Sequence, residues 1–318
     1  MRSKTEKRII IGLLVFIILL FCLYLLQSAD VDAESLRGKL ESALSEVPAP
    51  PFAPAVPSPT VSAEAEICFI DTGQSDCVLI KAPEKTVLID AGERDCAGII
   101  GDFLSREGVS RIDLFVATHP HSDHIGSGTY VVETFDVREL LIPDIPEESY
   151  PTSSTYEKLL LAANEQGTVL TLASPGIEYD LGGGMVLKVL GPVSDYGTDY
   201  NNWSVVTKLV AGEISFLFTG DIEAEAEADL IASGAELSCT VLKAPHHGSS
   251  TSSSAPFLDA ADPSYAVILC GANNDYGHPH KEVREAYAAR GYEVYRTDQN
   301  GSIVFRTDGK NITVETEK

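Results

Sequence analysis

The chain has seven histidines, and all of them fall in three short clusters. These are Thr118-His119-Pro120-His121-Ser122-Asp123-His124, Pro245-His246-His247-Gly248 and Gly277-His278-Pro279-His280. Histidine is the commonest transition-metal ligand, so a fold of this chain must bring those points together. His119 and His121 are two apart; in extended backbone both leave one face and can grip one ion. Asp123 and His124 are adjacent, and a turn aims that pair at a second ion. The apolar run Ile112–Ala117 before them reads as a buried strand, and the chain after Ile125 opens a helix. A lone histidine here would read as a hydrogen-bonding core residue, whereas H-x-H-x-D-H reads as a metal site.

Two further runs have the same form. Ile214-Ser215-Phe216-Leu217-Phe218 is apolar, β-branched and aromatic, and ends in Thr219-Gly220-Asp221. Thr240-Val241-Leu242-Lys243 leads into Pro245-His246-His247. Three strand ends therefore carry His or Asp, which is where an α/β sheet places its ligands. Taken alone, Asp221 reads equally well as the cap of a helix starting at Ile222.

T-H-x-H-x-D-H resembles the signature of the metallo-β-lactamase-like hydrolases. The likeness extends over most of the chain from about Ile67. Phe69-Ile70-Asp71-Thr72-Gly73-Gln74-Ser75-Asp76, Val87–Gly92, Asn201–Val206, Phe216–Asp221, Lys243–Ser249 and Tyr276–His280 are similar, in order, to the blocks of one branch. That branch includes the carboxy-terminal domain of the competence DNA-uptake protein ComEC and free-standing secreted relatives. The resemblance implies an α/β fold, a four-layered αββα sandwich. It implies that Asp221 bridges two metals, that one of His246 and His247 binds the second ion, and that the other faces the substrate. Many members carry a further histidine between the first cluster and the bridging aspartate. None occurs here from Ile125 to Gly220. His119, His121 and Asp221 would then be completed by solvent or by a neutral oxygen such as that of Ser204 or Asn202. Such an oxygen-rich position leans from zinc towards manganese.

The expected cofactor is one or two divalent ions, Zn or Mn. A bound divalent ion brings the pKa of its water to about 7, and two ions about 3.5–4 Å apart hold both oxygens of an in-line displacement. That chemistry suits phosphodiesters, and equally lactams, lactones and thioesters. Asp123 would orient the nucleophile while ligating metal, and His246 would act from the substrate side. His278 or His280 is a candidate proton donor, unless the pair merely stiffens a loop. Asn202 and Ser204, within one block of the branch, and Ser249 and Ser250, next to the second cluster, are candidate substrate contacts. For the serines, a plain polar loop is the competing reading.

Arg2, Lys4, Lys7 and Arg8 precede an uncharged apolar run, Ile9–Leu26, just long enough to span a bilayer. The basic flank favours the cytoplasm, which puts the rest of the chain outside. The expected organisation is a signal anchor over 1–27, an extended Pro/Ala-rich linker over 28–65 and a catalytic domain over 66–318. Secretion after cleavage near Ala29 or Ala33 is the alternative. Cys68, Cys77, Cys96, Cys239 and Cys270 sit largely in apolar runs and read as buried thiols.

Net charge is −24, and no Lys/Arg cluster follows the anchor. Tight, non-specific nucleic-acid binding is therefore not expected. Three functions follow. The leading one is an exported, membrane-tethered phosphodiesterase or nuclease-like enzyme, acting on a small or polymeric phosphodiester. The second is a metallohydrolase of another ester, lactone or lactam. The third is a non-catalytic metal-binding surface module.

Overall fold

Along the strand Ala65–Phe69 alternate side chains enter different layers. Ile67 and Phe69 pack in a core shared by two sheets, while Cys68 and the following Ile70 pack against helices. Period-two alternation with both faces apolar means that each face of this sheet is covered. Ile214–Phe218 repeats the pattern in the other sheet: Ile214, Phe216 and Phe218 join the shared core, and Leu217 faces a second group of helices.

The computed structural model describes residues 64–318. The expected anchor and nearly all of the linker lie outside them. Among the described residues, no helix is long and apolar enough to cross a membrane. The strands are β1 (Ala65–Phe69), β2 (Val78–Lys81), β3 (Thr86–Ile89), β4 (Arg111–Ile112), β5 (Leu114–Val116), β6 (Asp136–Val137), β7 (Glu139–Pro143) and β8 (Val169–Ala173). There follow β9 (Glu178–Gly182), β10 (Met185–Val189), β11 (Thr207–Ala211), β12 (Ile214–Phe218), β13 (Val241–Lys243) and β14 (Tyr265–Ile268). The last are β15 (Glu293–Arg296), β16 (Ile303–Thr307) and β17 (Ile312–Thr316).

One sheet runs β17-β16-β1-β2-β3-β5-β7-β8 and the other β15-β14-β13-β12-β11-β10-β9. Each is antiparallel over one half and parallel over the other. Helices Ala97–Arg106, Gly128–Thr134 and Ser154–Gln166 cover the first sheet; Ala224–Ala232, Ala255–Ala261 and Lys281–Arg290 cover the second. This is a mixed α/β sandwich with its helices outside.

One local expectation needs correction. Ile112–Ala117 is not one strand: β4 pairs with β6 in a small separate sheet, and only β5 enters the large one. β11 begins at Thr207, after a turn over residues 201–203 and an irregular stretch over 204–206. All five described cysteines are free and buried.

Candidate metal centre

The first cluster follows β5. Thr118 N and Oγ1 both donate to the buried Asp90 carboxylate at 2.8 Å, which locks the chain just before His119. His119 Nε2 and His121 Nδ1 face each other at 3.0 Å. Two nitrogens on one ion at about 2.1 Å lie roughly 3.0–3.4 Å apart, so this pair is set for a shared ion. His119 Nδ1 is backed by Thr118 Oγ1 (3.1 Å) and Ser204 Oγ (3.3 Å).

Asp123, His124, Asp221 and His247 form the second group. One ligand atom from each lies within 4.8 Å of all the others. His124 Nε2 is 3.1 Å and His247 Nε2 3.4 Å from Asp221 Oδ2; His247 Nε2 is also 3.3 Å from Asp123 Oδ2. The opposite ring nitrogens are committed: His124 Nδ1 lies 2.7 Å from Asp90 Oδ2, and His247 Nδ1 lies 2.9 Å from Leu269 O. Both rings thereby present Nε2 to the centre. His124 Nε2, wholly buried, has no well-aligned hydrogen-bond partner. A divalent ion fits this donor set of two imidazoles and two carboxylates.

Electrostatics give the same picture. Burial alone would lower the pKa of His124, but Asp221, Asp90, Asp123 and Asp76 together hold it well above the usual value. His247 is raised in the same way, against burial, chiefly by Asp221 and Asp76. Burial pushes Asp221 and Asp123 up, yet the neighbouring histidines outweigh it and hold both carboxyls below their ordinary range. His119 goes the other way, pushed well down by burial and by His124.

Of the histidine pair, His247 is in the cluster and His246 is not. Both have left-handed backbone, φ 49° and 53°, a conformation that costs free energy and is found where a site demands it. It turns His247 inward and leaves His246 on the cleft wall, with Nε2 3.8 Å from Asp221 and Nδ1 3.2 Å from both Glu223 and Thr251. Asp221 is not a helix cap, since the helix starts at Ala224 with Glu223 as its N-cap.

The cleft above the centre is about 290 Å³ and open to solvent; it is lined by Gln74, His121, Ser122, Asp123, Asn201, Asp221, His246, His247, Tyr276 and His278. Several expected contacts are absent from it. Asn202 is buried, its amide donating to Asp199 and accepting from Glu223 N, so it braces the loop. Ser204 is fully buried and accepts from Asp221 N at 2.9 Å. Ser249 is buried against Thr251, and Ser250 N donates to His280 Nδ1. His280 Nε2 is 3.1 Å from Tyr276 O, so both its nitrogens tie loops together and neither faces a leaving group. His278 does reach the cleft. Gly271 N donates to Gln74 Oε1, which turns the Gln74 amide nitrogen towards His278 Nδ1 at 3.3 Å. Nε2–H of His278 is then the free donor.

Three site residues lay within the quoted blocks but were not among the expected site residues. Asp90 orients His124. Asp76 forms a buried ion pair with Lys243, whose Nζ also donates to Gly220 O at 2.9 Å. Lys243 was visible in principle. On β13, Val241 belongs to the shared core, so the same parity points the lysine inward.

The family model of the metallo-β-lactamase superfamily matches residues 70–272. The chain belongs to that superfamily. Its metallo-β-lactamase domain is 32% identical over 266 residues to ComE operon protein 3 of Bacillus subtilis, covering 78% of this chain and 34% of that protein. It is also 32% identical to competence protein ComA of Neisseria gonorrhoeae over 76% of this chain and 32% of the relative. The chain thus spans about a third of the length of these curated relatives. Among solved structures, the metallo-β-lactamase fold protein YhfI from Bacillus subtilis superposes with a TM-score of 0.52 at 10% identity, covering 77% of this chain and 100% of that one. Igni18, a metallo hydrolase from Ignicoccus hospitalis, gives 0.50 at 15% identity, covering 76% and 98%. These structural likenesses carry the fold alone. The metallo-β-lactamase domain described here is hydrolase-like, with ligand residues for divalent metal.

Proposed function

We propose that this protein is an exported, membrane-tethered, metal-dependent phosphodiesterase with nuclease-like substrates. One observation carries the reading: Asp123, His124, Asp221 and His247 converge on a single point at the floor of an open cleft, with the His119–His121 pair beside them. Divalent ions bound there supply Lewis acidity to a phosphoryl group and lower the pKa of the attacking water.

The chain's own residues do the rest. His278 has its pKa pushed down to about 4 by burial and by His247, His246 and His280, so it is neutral at pH 7. It therefore acts as a neutral Nε2–H donor to the leaving oxygen rather than as an imidazolium. His246, also lowered by burial, stands next to it, with ring centroids 5.6 Å apart, as a second neutral group. Tyr276 is 69% exposed at the cleft mouth and stacks on His278 at 5.6 Å with an interplanar angle of 21°. An exposed ring beside the scissile position suits a nucleobase flanking the phosphate. Among the described residues no Lys or Arg lines the cleft, so the phosphate charge would meet metal and imidazole instead. That supports turnover without tight non-specific binding of nucleic acid. The likeness to a competence protein supports nucleic acid over a lactam. The apolar run Ile9–Leu26 and its basic flank support the tether.

The test is a substrate panel on the purified full-length protein with Mn²⁺ or Zn²⁺: single-stranded DNA, bis(p-nitrophenyl) phosphate, a lactone, a lactam and a thioester. Phosphodiester hydrolysis abolished in Asp221→Ala is the expected result. Hydrolysis of the lactone, lactam or thioester with phosphodiesters untouched would overturn it.

A further inference from the structure

The turn before β11 holds a polar side chain outside the expected set. Asn201 lies in the turn before β11 and lines the cleft beside His121 and Asp221. Its Nδ2 donates to Glu223 Oε1 at 3.1 Å, and a carboxylate can only accept, which fixes the amide orientation. Oδ1 is left buried with no hydrogen-bond partner. An unsatisfied buried acceptor is costly, so its retention calls for a ligand. The turn itself is tied to both halves of the centre. Ser204 N donates to Asn201 O at 3.0 Å, while Ser204 Oγ meets His119 Nδ1 and Asp221 N. Neither Asn202 nor Ser204 can take the role, because their side-chain oxygens are already engaged.

We infer that Asn201 Oδ1 is the protein's third donor to the ion held by His119 and His121, in place of an imidazole. Glu223 is a positioning residue, holding the amide nitrogen so that the oxygen faces the ion. With two nitrogens and a neutral oxygen this position is harder than a three-histidine one and discriminates less strongly for Zn²⁺ against Mn²⁺. Nothing in this depends on the substrate class.

The experiment is a titration of metal-free full-length protein with Mn²⁺, followed by calorimetry and electron paramagnetic resonance. Wild type binds two ions and develops a spin-coupled signal. Asn201→Ala weakens one ion tenfold or more and loses the coupled signal, while the other ion and the melting temperature stay as in wild type. Asn201→His keeps both ions and moves the preference of the weaker position towards Zn²⁺. Two ions at wild-type affinity in Asn201→Ala would overturn the assignment, as would a single ion in wild type. Should Asn201→Ala melt early, Asn201→His decides: failure to hold the second ion there refutes it.

Discussion

Lys243 reaches Asp221 from behind the metal centre, its Nζ 3.5 Å from Oδ1, with each of the two side chains only 2% exposed. The same ammonium pairs with Asp76, and burial, which opposes the charge, is outweighed by these carboxylates. Removing one partner of a buried ion network leaves the others uncompensated, at a cost of about 3–5 kcal/mol. Lys243→Met should lower the stability of the metal-free protein by that order. Saturating divalent metal should recover part of the loss, because it brings positive charge back to Asp221. Denaturant midpoints with metal and with chelator measure both effects; equal midpoints for variant and wild type would remove Lys243 from this role.

Asp90→Asn tests the orientation of His124. The aspartate accepts from Thr118 N, Thr118 Oγ1 and His124 Nδ1. An asparagine that keeps the Thr118 N bond turns its NH₂ towards His124 Nδ1, driving that ring to the tautomer with its proton on Nε2. Metal affinity should fall about 10–100-fold with the fold retained. Calorimetry alongside circular dichroism checks this, and wild-type affinity in the variant would contradict it.

The apo centre should store protons that metal displaces. The pKa values of His124 and His247 are raised in the folded state, so their contribution to apo stability is complete below about pH 6.5 and is lost as pH rises through the folded values. At neutral pH both rings are protonated without metal, and a ligating imidazole must be neutral. Metal binding should release about two protons, and affinity should strengthen with rising pH over this range. Calorimetry in buffers of different ionisation enthalpy counts the protons. A pH-independent affinity between pH 6 and 8 would be incompatible with this charge arrangement.

Gly220 has φ +51°, and a Cβ there would lie 2.7 Å from Ser204 Cβ and Oγ and 3.1 Å from Thr118 Cβ. Gly234, with φ +77°, has nothing within 4 Å. Both lose left-handed freedom on substitution, at about 1–2 kcal/mol. Only Gly220→Ala also pushes Ser204 and Asp221 out of place. Gly220→Ala should therefore lose metal affinity at least tenfold, whereas Gly234→Ala should lose stability alone. Parallel melting curves and metal titrations separate the two; matching metal affinities would deny the clash.

Much of the layered architecture was legible because strand periodicity is local. The inward and outward alternation of β1 and β12 can be read from five residues each. The splitting of Ile112–Ala117 between two sheets could not, since pairing partners are chosen by distant strands such as β6 and β7. The block Asn201–Ser204 was recognisable as belonging to the site. Which of its polar side chains faces the cleft was not, because residues 201–203 form a turn that leaves Asn201 on the cleft and buries Asn202 and Ser204.

The sequence by itself determined which residue types arrive at which strand ends, and that His119 with His121, and Asp123 with His124, act as pairs. Spacing of one or two residues settles such questions before any long-range contact exists. Only the tertiary structure decided that His247 rather than His246 joins Asp123, a residue 124 positions away. It alone set Lys243 beneath Asp221 and turned His280 and Asn202 into braces. Those outcomes depend on positive φ angles, on which face of a turn is buried and on partners supplied by the opposite sheet, none of which a local pattern encodes.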